Sequence, residues 1–376
     1  MDDSEKKIKN ILFVLPNLQG GGAERVVLTI LRYLDTSKYS LTLFLFKREG
    51  VYWNEIPSNV RVICVLERGR LRLNLHRIFL LLLKEAKSQD VLVGGLELIS
   101  SYMVYLAGWL VKKPAIGMVH ISLPDYLQNE SRIRNWLAKR FYARMKRLVF
   151  VSNGAVQSMR KWLPATDYSF WSVIYDMLDT NVYKENSVLP EWTKQAYQAP
   201  VVIAVGRLAE QKGFDLLLIA HKKLINLGIR HNLVILGEGP QRNFLEQKIR
   251  DLDIAGSVFL PGFVDNPIHY MKMAKIFILS SRYEGFGMVI VEAMIAGLPV
   301  ISTDCRYGPA EILDHGKYGL LVPPENPDTI AEAIKKLLLD NELCNHFIEL
   351  NQERVSDFSP ERIIPQWERL LDEVTS

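Results

Sequence analysis

Short apolar runs of strand length alternate with helix-period stretches along nearly the whole of this 376-residue chain. Parallel α/β sheets produce that pattern. In the first half the strand-like runs are 8–15, 41–46, 60–66, 91–93, 115–120, 148–151 and 171–175, with helical patterns at 23–34, 75–87, 100–110, 133–145 and 155–163. Periodicity fails from 181 to 199, where Pro190 and Pro200 bracket a polar stretch, and this segment reads as a linker. The pattern restarts with strands 201–205, 233–236, 258–260, 276–279, 300–302 and 320–322, and with helices at 214–226, 327–339 and 360–371. Two domains, 1–180 and 200–358, fit the length.

A hydrophobic content of 48% against 23% charged residues is enough to bury two cores. Three widely spaced cysteines, Cys64, Cys305 and Cys344, neither pair evenly nor space as metal ligands, which points to a reducing compartment and no structural metal. The most apolar run, 78–83, is six residues, against about 20 for a membrane-spanning helix. The acidic start, Met1-Asp2-Asp3-Ser4-Glu5, is unlike a signal peptide. A cytoplasmic protein is expected.

The net charge of +4 hides an asymmetry: residues 1–180 hold 26 Lys and Arg against 16 Asp and Glu, a net +10, and the remainder 20 against 26, a net −6. Charge of this kind speaks to partners rather than fold. In the first half, residues 132–147 contain seven basic side chains and no acid, among them Arg132, Arg134, Lys139, Arg140 and Arg144. Ile133, Trp136, Leu137 and Phe141 recur there at helical spacing. Arg68, Arg70 and Arg72 add a second basic cluster. Such an element suits an anionic membrane surface or a phosphate-bearing acceptor, with its apolar stripe packed inward and its basic rim outward. A solvated helix has the same composition. No helix-turn-helix, zinc or RNA-binding signature accompanies it, so nucleic acid is not an expected partner.

The chemistry is concentrated in three Gly-rich turns. Residues 280–293 run Ser-Ser-Arg-Tyr-Glu-Gly-Phe-Gly-Met-Val-Ile-Val-Glu-Ala: a strand feeds a turn holding Glu284, Gly285, Phe286 and Gly287, and a helix opens near Met288 and Val289. Unpaired N–H groups at such a start favour anions, while Glu284 and Glu292 supply carboxylates for sugar hydroxyls. Gly206-Arg207-Leu208-Ala209-Glu210-Gln211-Lys212-Gly213 follows the first strand of the second half. Arg207 and Lys212 there suffice to neutralise a diphosphate without a metal. Gln19-Gly20-Gly21-Gly22-Ala23-Glu24 follows the first strand of the chain, where Gly21 and Gly22 allow close backbone approach. Gly237 and Phe263 mark two further strand-end loops, and His120 ends the run 115–120. A histidine in that position also serves as an ordinary structural group. Neither half carries Gly-x-Gly-x-x-Gly or a Walker lysine loop.

The triple glycine, the Gly-Arg-Leu…Lys-Gly element and the Glu-x7-Glu of Glu284 and Glu292 around Gly-Phe-Gly, in this order along the chain, resemble family 4 of the retaining glycosyltransferases. The resemblance implies the GT-B fold: two Rossmann-like domains with parallel sheets facing across a deep cleft, and a C-terminal helix, 359–376, returning to the first domain. It implies transfer of a sugar from a nucleotide-diphosphate sugar, with configuration retained and no cofactor; a UDP-hexose or UDP-N-acetylhexosamine is preferred from the Tyr-Gly-Pro-Ala-Glu variant at 307–311, and GDP-mannose stays open. Arg207 and Lys212 would hold the leaving diphosphate, Glu284 the sugar, Glu292 the ribose diol, and His120 the sugar from the first domain. Tyr307-Gly308-Pro309-Ala310-Glu311 resembles a variant among enzymes building bacterial surface and lipid-linked glycans, which implies a lipid-linked glycan or glycolipid acceptor at the inner membrane face and a peripheral protein there. Glu311 is expected to be structural. The same fold also hosts nucleotide-sugar epimerases, and a non-catalytic nucleotide-sugar-binding adaptor is the reading from another class.

Overall fold

A computed structural model describes residues 8–128, 130–164, 167–182 and 189–375. Two compact units account for the chain: residues 1–179 with 359–376, and residues 180–358.

In the first unit seven parallel strands run β1 (Lys9–Leu15), β2 (Tyr39–Lys47), β3 (Arg61–Leu66), β4 (Val91–Gly94), β5 (Ala115–Val119), β6 (Arg147–Phe150) and β7 (Trp171–Val173), in the order β3-β2-β1-β4-β5-β6-β7. Register at the centre is set by Ile11, opposite Leu41 on one side and Val91 on the other. Ile11, Phe13 and Leu15 join one apolar cluster while Leu12 and Val14 join another. The sheet is therefore covered on both faces, which is why its central strands read as continuous apolar runs.

The second unit repeats the plan with β8 (Val201–Val205), β9 (Asn232–Leu236), β10 (Val258–Gly262), β11 (Ile276–Leu279), β12 (Val300–Thr303) and β13 (Leu320–Val322), in the order β10-β9-β8-β11-β12-β13. Each sheet reverses direction beside its first strand, at β1/β4 and at β8/β11. Loops leaving the carboxyl ends of those strands diverge, and open α/β sheets bind ligands in the crevice so formed.

The helix Pro360–Thr375 belongs to the first unit. Ile363, Trp367, Leu370 and Leu371 enter the same cluster as Ile11 and Leu41, with Trp367 only 1% exposed. Asp372 pairs with Lys9 at 2.7 Å and accepts from the Tyr39 hydroxyl at 2.9 Å.

Parts of the sequence reading need correction. The segment 181–199 is not a plain linker. Its residues 183–188 lie outside the described residues, but Glu191–Ala196 forms a helix on the second unit. Trp192 stacks on Tyr270 at 5.2 Å, the Tyr197 hydroxyl donates to the Tyr270 carbonyl and Ala196 is fully buried. Helices Arg242–Asp251 and Asn341–Val355 occupy stretches that periodicity left unassigned.

Candidate active site

In the second unit the loop after β8 is bolted to the loop after β11. The Arg282 N–H donates to the Gln211 carbonyl at 2.7 Å, and Gln211 Nε2 donates to the Tyr283 carbonyl at 2.9 Å. The Arg282 guanidinium grips Asp215 with two bonds of 2.9 Å. Burial alone would raise the Asp215 pKa, but the guanidinium outweighs it and holds the carboxyl below its ordinary range. Gly213 turns the chain at φ +61, and a Cβ there would meet the Ser280 carbonyl oxygen at 2.1 Å. Only glycine permits this approach.

The clamp delivers Lys212 to Glu284. Nζ lies 2.6 Å from Oε1, with both side chains largely buried. Ser281 Oγ donates to the same oxygen at 2.5 Å, and Ser280 Oγ donates to the Lys212 carbonyl at 2.8 Å. The lysine stem lies over Gly206, where a Cβ would stand 3.2 Å from Cε. Gly237, at φ +140, packs so close that a Cβ would meet the Gly206 carbonyl oxygen at 2.0 Å. An ammonium and a carboxylate thus share the switch point of this sheet, suited to a ligand carrying both phosphate and hydroxyl groups.

Beyond Glu284 the chain passes through buried Gly285 and Phe286 to Gly287, which at φ +97 starts the helix Met288–Ile295. No side chain among the described residues caps that helix start. Phe286 is 2% exposed and packs edge-on against Phe358 at 5.6 Å. It can offer a ligand only its backbone. Gly308 presses against it from the next loop. Met288, Val289 and Glu292 are half-buried, whereas Arg207 and Phe263 are exposed. Arg207 makes no ion pair among the described residues. Burial, reinforced by Glu284, pushes the neighbouring Cys305 thiol up to about 12, so it is inert. Glu311 offers its carbonyl to Arg354 at 2.6 Å.

In the first unit the Gly-rich turn after β1 is occupied by its own helix. Gly21 passes so close to Glu24 that a Cβ there would lie 2.2 Å from Oε2, whereas nothing crowds Gly22. Burial raises the Glu24 pKa, partly offset by the amides of Glu24 and Gly21 and by the charge of His120. His120 stands one residue past β5: its Nε2 is hydrogen-bonded to the Gly95 carbonyl at 3.1 Å, while Nδ1 lies 3.4 Å from Asp176 Oδ1 and has no hydrogen-bond partner among the described residues. The backbone N–H of His120 points at Glu97 Oε2, 3.4 Å away. Glu97 and Asp176 have no sequence signal of their own. They belong here only because β4 ends beside β5 and β7 ends one strand further on, past β6.

The basic helix spans Arg132–Tyr142 and differs from expectation. Its inward face is Ala138 and Tyr142, with Phe141 stacked on Tyr102 at 4.5 Å. Ile133 is 72% and Trp136 60% exposed, so the apolar stripe faces outward beside Arg132, Arg134, Lys139, Arg140 and Arg144. Arg140 lies over the Trp136 ring at 5.8 Å. The neighbouring helix Ile99–Val111, expected at 100–110, also exposes Trp109 and Leu110 beside Lys112 and Lys113.

Residues 20–182 match the model of Glycosyltransferase Family 4, and residues 192–354 that of the glycosyl transferases group 1. An uncharacterized glycosyltransferase of Methanocaldococcus jannaschii is 33% identical over 46% of this chain; the match spans 49% of that protein, about half its length. The N-acetylgalactosamine-N,N'-diacetylbacillosaminyl-diphospho-undecaprenol 4-alpha-N-acetylgalactosaminyltransferase of Campylobacter jejuni is 26% identical over 92% of this chain and 95% of its own. Among solved structures, Anabaena HepE in complex with UDP and glucose superposes with a TM-score of 0.82 at 21% identity, covering 97% of this chain and all of that one.

Proposed function

Because this chain belongs to the GT-B glycosyltransferases, we propose that it moves a hexose or N-acetylhexosamine from a nucleotide-diphosphate sugar to a lipid-linked glycan or glycolipid, with retention of configuration. The observation that carries this reading is the Lys212–Glu284 pair at the β8/β11 switch point, 2.6 Å apart beside an uncapped helix start. In this reading Lys212 and Arg207 take up charge developing on the leaving diphosphate, the electrostatic contribution that usually dominates such chemistry. The amides from Gly285 to Met288 receive phosphate and sugar. Glu284 reads sugar hydroxyls and Glu292 the ribose diol. The two cations supply the positive charge, so no metal is assigned to the reaction.

UDP as the nucleotide is supported by the HepE complex, and a diphosphate-linked lipid acceptor by the name of the Campylobacter relative. Participation in glycan biosynthesis is supported by the name of the Campylobacter relative. Peripheral attachment to an anionic membrane is supported by the outward Ile133 and Trp136 with their basic rim.

Lys212→Ala is expected to lower turnover about 10²–10³-fold, and Glu292→Ala to raise the KM for the donor. Steady-state nucleotide release with circular dichroism as the folding control measures both. Near-normal turnover in folded Lys212→Ala would contradict the assignment.

A further inference from the structure

Phe286 lies in the turn between Glu284 and the helix start at Gly287, and with its ring buried only its backbone can meet a ligand. Whatever holds the ring therefore sets where that backbone stands. Gly308, at φ +87, passes so close that a Cβ there would meet the Phe286 carbonyl oxygen at 2.2 Å. The Phe358 ring meets the Phe286 ring edge-on at 5.6 Å, and Phe358 is 1% exposed. Two residues back, the Glu284 N–H donates to the Arg306 carbonyl at 3.4 Å.

One side chain ties Gly308 and Phe358 together. Arg354, in the last turn of the helix Asn341–Val355, donates through Nη2 to the Glu311 carbonyl at 2.6 Å and through Nε to the Ile312 carbonyl at 2.9 Å. Those carbonyls end the short helix Pro309–Ile312, whose N-cap is Gly308. Nη1 pairs with Asp357 at 2.8 Å, and the guanidinium lies over the Phe358 ring at 4.9 Å and the Tyr318 ring at 5.3 Å. A planar guanidinium can serve two carbonyls, a carboxylate and aromatic faces at once, whereas a lysine ammonium is a single point charge. Phe286 is thus held between two groups that a single arginine fixes relative to each other.

We propose that Arg354 and Phe358 are positioning residues for the donor: they brace Phe286 and so keep the backbone of 285–288 in the shape that receives phosphate and sugar. Neither residue touches the ligand in this scheme, and both act through Phe286. The task given to the braced backbone rests on the glycosyl-transfer reading above; the brace does not.

The test is hydrogen exchange read by mass spectrometry on the full-length protein, with and without UDP, beside a UDP titration. In Phe358→Leu and in Arg354→Lys the amides of 285–288 are expected to exchange faster without UDP, while those of β8 and β9 keep their wild-type rates. UDP affinity is expected to fall about tenfold, and the KM for the donor to rise with that for the acceptor unchanged. A lowered unfolding midpoint with unchanged UDP affinity would mean packing alone and overturn the proposal, as would unchanged exchange at 285–288 in a folded variant. The wild type gives a test that needs no variant to fold: UDP is expected to slow exchange at 354–358 together with 285–288. Protection of 285–288 without 354–358 contradicts the brace. Faster exchange in the variants together with no UDP binding by the wild type would count against the transfer reading alone.

Discussion

Lys212 and Glu284 are separated by 72 residues yet meet at 2.6 Å, and the contact depends on a glycine that neither forms nor touches it. Gly213 lets the loop after β8 pass against the Ser280 carbonyl. An alanine there must adopt positive φ and also displace a backbone oxygen, so Gly213→Ala is expected to destabilise the protein by more than about 1 kcal/mol. Because the displaced residue is next to Lys212, donor affinity should fall as well. Urea unfolding and nucleotide titration measure the two effects, and loss of stability with unchanged affinity would separate the turn from the site. At this scale the sequence was legible where a motif is local: glycine turns, the Arg207–Lys212 element and the Glu284–Glu292 spacing all stand in one stretch of chain. It was silent on Ser281, on the Arg282–Asp215 clamp and on Glu97 and Asp176, because distant strand ends place those groups and no spacing encodes them.

Elements with strong apolar periodicity were readable within a residue or two. Helices Phe214–Asn226 and Pro327–Leu339, and strands β8, β11 and β13, have the limits the pattern predicts. Asn341–Val355 escaped because it buries only Cys344, Phe347 and Asn351. One of those three is polar, and it donates to the Leu298 carbonyl at 3.2 Å. Arg132–Tyr142 was found, but its direction was misjudged: aromatic residues at helical spacing usually mark the inward face, whereas here the inward contacts go to Ala138, Tyr142 and Phe141. An exposed Trp136 flanked by arginines has a physical consequence. Trp136→Ala together with Trp109→Ala is expected to reduce binding to phosphatidylglycerol vesicles while leaving turnover on soluble acceptor analogues unchanged. Vesicle co-sedimentation at low and high salt checks this. Equal sedimentation of variant and wild type would remove these helices from the membrane account.

Across the whole molecule, two parallel sheets of related strand order carry unequal charge and different kinds of buried ionisable groups. The second unit holds a neutral histidine pair: His221 Nδ1 and His231 Nε2 are 2.9 Å apart, His231 Nδ1 meets the Ile229 carbonyl and His221 Nε2 meets Ser257 Oγ. Since a carbonyl only accepts, His231 donates through Nδ1 and its Nε2 accepts a hydrogen bond from the His221 Nδ1–H. Burial, with His231 adding to it, pushes His221 down to about 3. The unfolded chain therefore binds more protons than the folded one between pH 6.5 and about 3. The pair's contribution is present above pH 6.5 and is lost as pH falls through that window, at up to about 1.4 kcal/mol per pH unit for one proton. Unfolding midpoints from pH 8 to pH 4 should fall more steeply in the wild type than in His221→Gln/His231→Gln; parallel curves would contradict the network.

The activity proposed for this protein is acceptor-dependent glycosyl transfer from a nucleotide-diphosphate sugar. It is tested most directly by measuring nucleotide release from UDP-, GDP- and ADP-sugars, with chelator present, with and without diphosphate-linked lipid glycans. Release from a UDP-sugar that requires the lipid-linked acceptor and persists in chelator is expected. Tight nucleotide binding with no release from any donor, under any of these conditions, would contradict it.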